Sequence, residues 1–400
     1  MPWTLIAVLI ISLPLTGINY YVGRTIFGAL VHVASWNRAK LKWWIIGIHS
    51  FLNLLPVTFL LAFLIAGKDA VPAFAGDSFI IDLFLSYPFW ISLAVMIQLL
   101  ALFVLLGIIG LLIIRFMPRL REWWHRWKPV AVIGISIFVT LYTVIVIVRD
   151  TWTVRTVRHE ITLPKGLECL SGFRIAEISD VQGDGRTTYD ALRQYVSKVN
   201  SLEPDVVLFG GDLVTSGTRY IDSTARIMGG LKSRFGTVAA IGDHDLFTNK
   251  AMVLRALARE GIRVIEDSTV LFVVDSCRVA VSVVTYTYLE KPSKDQFGRF
   301  TEARQGEFRV LLVHQPADKL VEFARNQGYH LMLAGHTHGG GLAFGIPGLL
   351  LWAPANLESP YVSGLYRLGG LDLSVTNGLG LTLAPVRFHA PAEIVLITLK

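Results

Sequence analysis

Eight side chains stand out for the chemistry they could do: Asp180, Gln182, Asp212, Asp243, His244, His314, His336 and His338. Each lies just beyond a short apolar run. Seven of the eight are aspartate or histidine, types that hold divalent metals well. When strands alternate with helices, polar residues at the carboxyl ends of the strands line the ligand crevice. The pattern therefore predicts a metal-binding crevice built from several strand ends.

The elements needed to position these residues can be read from Phe173 onward. FRIAEISD ends in Asp180, PDVVLFGGD in Asp212, and TVAAIGDHD in Asp243, His244 and Asp245. FRVLLVHQP carries His314, and HLMLAGHTHGGG carries His336 and His338. Helical stretches are expected at YDALRQYVSKVNSL, at about 222–234 and at 321–327. VLFVVDSCRVAVSVV reads as a strand pair, and LDLSVTN and AEIVLITLK as strands near the end. This alternation predicts an α/β domain with a layered sheet core over residues 151–400.

Residues 1–150 have another character. The whole chain is 53% hydrophobic and only 17% charged, against roughly 25% charged in soluble domains. The excess sits in four apolar blocks, at about 3–21, 43–66, 90–114 and 130–148, each near the ~20 residues that span a bilayer. The first block lacks a basic flank and a cleavage pattern, so it reads as a retained helix and not a signal peptide. Trp3, Trp43, Trp44, Trp90, Trp123, Trp124 and Trp127 gather at block ends, as interfacial aromatics do. The expectation is an all-α bundle of four transmembrane helices.

Arg24, Arg38, Lys40 and Lys42 follow the first block, and Arg115, Arg119, Arg121, Arg126 and Lys128 follow the third. The second connection carries Lys68 against Asp69, Asp77 and Asp82. The positive-inside rule then places both termini, and the 151–400 domain, outside the cytoplasm. Arg149, Arg155 and Arg158 run against that assignment, but the two basic connections outweigh them. His49 and Asn53 lie inside a span, where they either mark a site or bond to a neighbouring helix.

The net charge of +7 and pI near 9.4 would suit nucleic acid, but much of the basic charge belongs to these connections and no nucleic-acid-binding module is present. Two cysteines, Cys169 and Cys277, exclude a disulfide framework and a thiolate zinc cluster. Outside the cytoplasm they are free to pair; two buried thiols are the alternative.

Five segments in order resemble the calcineurin-like metallophosphoesterases: S-D-V-Q-G at 179–183, G-G-D-L-V at 210–214, G-D-H-D at 242–245, V-H-Q-P at 313–316 and G-H-T-H-G-G at 335–340. The resemblance covers about 172–400. It implies a four-layer α-β-β-α sandwich with two metal ions between two mixed sheets. It further implies that Asp180 and His338 bind the first metal, with Gln182 at a third ligand position. Asp212 would bridge both metals, and Asp243, His314 and His336 would bind the second. His244 would stabilise the transition state or protonate the leaving oxygen. Such a metal pair polarises phosphoryl oxygens, acidifies a bridging water and clamps in-line attack. Imidazole-rich shells favour Mn, Fe, Zn or Co over Mg alone.

Three positions depart from the family pattern. Gln182 stands where a histidine is usual, which predicts looser binding at the first metal or a shift towards Mn²⁺. Asp243 replaces an asparagine, and Thr215 occupies a position where a supporting carboxylate is common. Asp184 is either a compensating ligand or a solvated loop residue. Arg387 reads as structural.

The sequence thus predicts a membrane-anchored phosphoester hydrolase of bacterial type. It would act on a monoester or diester, with lipid-linked or cell-envelope substrates suiting a tethered site. A catalytically weak or inactive metal- or phosphate-binding membrane sensor is the alternative. A transporter would need more intramembrane charge than the blocks contain.

Overall fold

Apolar runs without polar alternation form strands buried on both faces, and the second half of the chain is built around such strands. The computed structural model describes residues 3–34, 36–67, 78–292, 306–347 and 349–400. Lys68, Asp69 and Asp77, used above to orient the helices, lie outside the described residues. The described chain divides into two compact units, 1–149 with 383–388, and 150–382 with 389–400.

In the second unit the strands are β1 (Arg155–Ile161), β2 (Arg174–Ile178), β3 (Val206–Phe209), β4 (Thr237–Ala239), β5 (Arg263–Val264), β6 (Ser268–Val274) and β7 (Cys277–Val284). They continue as β8 (Glu307–Val313), β9 (Leu331–Ala334), β10 (Phe344–Ile346), β11 (Leu350–Trp352), β12 (Gly364–Arg367), β13 (Asp372–Val375) and β14 (Glu393–Leu399). One sheet has the order β1-β14-β2-β3-β4-β5, with β2 through β5 parallel and β14 antiparallel to β2. The other has the order β12-β13-β9-β8-β7-β6, with β13, β9, β8 and β7 parallel and antiparallel strands at both edges. Both sheets are mixed. β10 and β11 form a separate hairpin.

Successive strand residues point to opposite faces, and β2 shows the result. Ile175 joins a core that also takes Val206 and Leu208 from its own sheet and Val281, Phe308 and Leu331 from the other. Ala176 and Ile178 join a different core with Leu192, Val199, Ala225 and Leu257, which come from helices Tyr189–Asn200, Ile221–Met228 and Lys250–Arg259. Helix Asp318–Asn326 sets Leu320 and Ala324 against Leu311 and Met332 of the second sheet. Each fully buried Val or Leu contributes roughly 1.5–3 kcal/mol.

Two sequence boundaries change. The helix expected to reach residue 234 stops at Met228 because Gly229 and Gly230 follow it. The strand expected to run to residue 245 ends at Ala239, and Asp243 opens the short helix Asp243–Thr248.

The first unit holds α1 (Trp3–Ala34), α2 (Arg38–Leu52) and α3 (Leu54–Ala66). The continuous helix Phe79–Phe116 follows as α4, and α5 is Arg121–Trp152, whose last three residues, 150–152, belong to the second unit. Among the described residues, three helical stretches, Leu5–Val33, Phe79–Phe116 and Pro118–Trp152, are long and apolar enough to cross a membrane. The second expected span, 43–66, falls on a pair, α2 and α3, bent by 48°. At the bend the Asn53 side chain donates to the His49 carbonyl (2.7 Å), so Asn53 serves its own helix end. Arg24 belongs to α1 and not to a connection. Just beyond α5, Arg155 faces the buried Asp150 at 3.6 Å.

Cys169 and Cys277 form a disulfide with Cα atoms 6.1 Å apart, within the usual range for bridged cysteines. It joins the turn before β2 to the first residue of β7, and so ties one sheet to the other. The bridged cysteines are 108 residues apart in sequence. Replacing Cys277 by Ser is therefore expected to cost about 2–5 kcal/mol of stability. A thermal unfolding midpoint unmoved by the substitution and by reductant would show that the bridge carries no load.

Candidate metal centre

The parallel strands of both sheets deliver their carboxyl ends to one crevice. Asp180 and Gln182 follow β2, and Asp212 follows β3. Asp243 and His244 follow β4, His314 follows β8, and His336 and His338 follow β9. Asp180, Gln182, Asp212, Asp243, His314 and His338 are all buried.

The three aspartates are held in one manner. Asp180 Oδ2 accepts the His336 backbone N–H at 2.9 Å, Asp212 Oδ1 accepts that of His244 at 2.8 Å, and Asp243 Oδ1 accepts that of Tyr288 at 2.7 Å. The second oxygen of each then turns to the imidazoles. His314 Nε2 lies 3.4 Å from both Asp212 Oδ2 and Asp243 Oδ2. His336 Nδ1 lies 3.1 Å from Asp243 Oδ2, and His338 Nε2 lies 3.5 Å from Asp180 Oδ1. His314 Nδ1 is turned to the Gly210 carbonyl (2.8 Å), which leaves Nε2 to face the cluster, as the outer hydrogen bond of a metal-binding histidine does.

Among the described residues, two groups could hold a metal ion: Asp243 with His314 and His336, and Asp180 with Asp212 and His314, their donor atoms all within 4.8 Å. His314 is common to both, but one imidazole nitrogen has a single lone pair. A carboxylate, with two oxygens, has the lone pairs to serve two ions, and each of the three aspartates is of that type. His338 reaches Asp180 but stands outside these tight groups.

The chemistry of the cluster fits cations. Among the described residues, Gln182 Oε1 has no hydrogen-bond partner, and Asp180 Oδ1 and His314 Nε2 have only the longer ion-pair contacts of 3.4–3.5 Å given above, a costly condition for buried polar atoms. Gln182 Nε2 donates to Asp212 Oδ2 (2.9 Å), so its orphaned atom is the oxygen, the one able to bind a metal. Burial alone would raise the Asp212 pKa, yet His314 and then His244 bring it down to about 2. Burial is likewise overcome at Asp243, where His314 and His336 hold the carboxyl far below its ordinary range. Burial would lower His336, but Asp243 and Glu358 carry it up to about 9. Without metals, protons on the imidazoles supply the countercharge.

Five of the eight residues adopt left-handed backbone: Asp180 (φ 51), Gln182 (φ 50), Asp212 (φ 61), His336 (φ 70) and His338 (φ 51). Such conformations cost on the order of 1–3 kcal/mol each and concentrate at functional sites. The H-T-H turn is thus made by the histidines themselves. Gly335 is needed for space: a Cβ there would overlap Ser179 Oγ and Asp180 Oδ2.

His244 Nδ1 lies 2.5 Å from the Thr215 carbonyl, which fixes the tautomer and directs Nε2 the other way. Thr215 Oγ1 donates to Asp184 Oδ2 at 2.7 Å. Asp184 therefore supplies the carboxylate that position 215 lacks, and it also accepts from the backbone of Arg186 and Thr187. It is a structural partner of the site and not a solvated loop residue.

Sequence reasoning missed four residues around the cluster. Gln315 Nε2 donates to Asp243 Oδ2 (2.7 Å). Asp245 accepts the backbone N–H groups of Asp212, Leu213 and Gly242. Both occur inside quoted motifs, so their position was available as a signal. Tyr288 and Glu358 had none. The Tyr288 hydroxyl bonds Glu358 and lies 3.3 Å from His336 Nε2, and Glu358 Oε1 lies 3.2 Å from that same nitrogen.

Two mixed sheets with carboxylates and imidazoles at their parallel strand ends define a metallohydrolase-type α/β domain. Residues 173–340 match the family model of the calcineurin-like phosphoesterases. Residues 173–340 are thus a calcineurin-like phosphoesterase domain within the folded half of the chain. An uncharacterized metallophosphoesterase of Bacillus subtilis (strain 168), YkuE, is 28% identical over 256 residues, covering 62% of this chain and 86% of that protein. A Danio rerio transmembrane protein with metallophosphoesterase domain is 30% identical over 262 residues, 62% of this chain and 57% of its own. An uncharacterized metallophosphoesterase of Helicobacter pylori (strain J99) is 28% identical, with 57% and 60% covered. The chain thus spans most of the first relative's length and less than two thirds of the other two.

Two outcomes follow from the cluster. Gly335→Ala is expected to weaken metal binding at least about tenfold, read as metal content after dialysis; full retention would show that the overlap is relieved harmlessly. His336 keeps its proton up to about pH 9 in the metal-free chain, so an incoming metal must displace it. Affinity should rise with pH towards that value, by up to about tenfold per unit for each proton released. Titration calorimetry in buffers of different ionisation heat measures this; a pH-independent affinity would contradict it.

Proposed function

We propose that the protein is a membrane-anchored, metal-dependent phosphoesterase with two divalent ions, Mn favoured. Asp180, Gln182 and His338 would hold one ion, Asp243, His314 and His336 the other, and Asp212 both. The observation that carries this reading is the set of three buried ligand atoms, on Asp180, Gln182 and His314, that no hydrogen bond satisfies among the described residues. Two such ions supply Lewis acidity towards phosphoryl oxygens and a water acidic enough to attack near neutral pH.

The chain's own residues orient and move protons. The backbone bonds to each aspartate fix which oxygen faces the ions. Tyr288 and Glu358 steady the His336 ring. His244, oriented by the Thr215 carbonyl, would stabilise the transition state or, as the imidazolium, pass its Nε2 proton to the leaving oxygen. The substrate is a phosphomonoester or diester, lipid-linked or of the cell envelope, because the domain is tethered. Residues 1–150 form a four-span anchor in which the bent α2–α3 pair makes one broken span, and residues 151–400 form a four-layer catalytic domain outside the cytoplasm of a bacterial cell. The Cys169–Cys277 bridge supports that side, since such bonds persist in oxidising compartments.

The sensor alternative rested on Gln182, Asp243 and Thr215. Asp184 beside Thr215 and the orphaned Gln182 oxygen both weigh against it. The test is metal content and Mn²⁺-dependent hydrolysis of aryl phosphomonoesters and diesters by the detergent-solubilised full chain. Asp212→Asn should lower kcat/KM by more than the roughly 100-fold that loss of an outer partner costs. Gln182→His should tighten the first metal. One ion or none, with no turnover in any divalent metal, would favour the sensor.

A further inference from the structure

The β10–β11 hairpin presents an apolar surface that no described residue of its own unit covers. Ile346, Leu349, Leu350, Trp352 and Leu357 are 61%, 77%, 71%, 50% and 83% exposed. No charged residue occurs between His338 and Glu358. Soluble proteins seldom leave large apolar patches open, and an exposed apolar edge strand invites association. The segment is bounded at one end by a candidate metal-binding histidine and at the other by the carboxylate that faces His336.

Two observations indicate what covers the hairpin. Its root is linked by hydrogen bonds to the end of the last apolar helix. The Ala343 carbonyl, one residue before β10, lies 3.1 Å from His389 Nδ1. The His389 backbone N–H donates to Asp150 Oδ2 at 2.8 Å, and Asp150 belongs to the final turn of α5, which ends at Trp152. The hairpin is also the right size: three-residue strands extend about 10 Å, and interfacial elements bury their apolar face by about 5–10 Å. Trp352 at a strand end is the residue type favoured at that boundary.

We propose that the β10–β11 hairpin docks into the phospholipid leaflet in which the protein is anchored, and so sets the metal cluster at headgroup depth. The inference deepens the phosphoesterase reading and rests on it for its consequence, that the phosphoester is carried on a lipid. A second copy of the chain is the competing occupant.

The experiment uses the full chain in phosphatidylcholine nanodiscs. An environment-sensitive fluorophore is attached at Leu349→Cys, and in a separate preparation at Asp190→Cys, whose native side chain is 84% exposed. The native cysteines are bridged and do not react. Lipids with a shallow spin label on the acyl chain should quench the position-349 probe at least about twofold more than the position-190 probe, with emission shifted to shorter wavelength. Adding Leu350→Glu should reduce that quenching. Equal quenching at the two positions would overturn the inference, as would crosslinking between copies through position 349 without quenching. Turnover of bis(4-nitrophenyl) phosphate by the same samples reports the catalytic reading separately. Quenching without turnover would support docking and remove the lipid phosphoester; turnover without quenching would remove docking alone.

Discussion

Asp180, Asp212 and Asp243 bring three carboxylates into an interior that would expel each of them alone. Their mutual repulsion is balanced by three imidazoles, and each spends one oxygen on a backbone N–H so that the other can face a cation. This arrangement constrains much of the domain. The backbone donors come from the residues after β4, β7 and β9, so segments of both sheets must meet within hydrogen-bond distance. The shared core between the sheets sets that distance. The disulfide secures the same pair of sheets near the starts of β2 and β7, while the donor atoms gather beyond the carboxyl ends of β2 and β8.

Much of this was legible in the sequence because parallel strands buried on both faces are written as unbroken apolar runs. The chain leaves the sheet where such a run ends, and polar residues there have few roles besides turning the chain or binding a ligand. That is why Asp180, Asp212, His314 and His336 stand out as candidates without coordinates. The boundary near Asp243 was less clear, since TVAAIG stays apolar after the ladder has ended.

What stayed hidden depends on contacts distant in sequence. Thr215 looked like a defect until Asp184 was found beside it, 31 residues away. Tyr288 and Glu358 meet across 70 residues, in segments with no periodicity to mark them. The 48° bend at Asn53 was invisible for another reason: both arms are apolar, and composition does not register a change of axis. The two cysteines permitted only one bridge, yet the order of strands decides whether they meet.

The left-handed backbone at five of the eight site residues also narrows how this protein can change over evolutionary time. Among residues other than glycine, aspartate, asparagine and histidine enter that conformation most readily, and aspartate and histidine are also good metal ligands. Backbone and metal therefore select from nearly the same short alphabet. A branched aliphatic residue at Asp180, Asp212, His336 or His338 would lose on both counts at once. Drift is open mainly to substitutions that satisfy one demand and strain the other, and the glutamine at position 182 (φ 50) is one such residue.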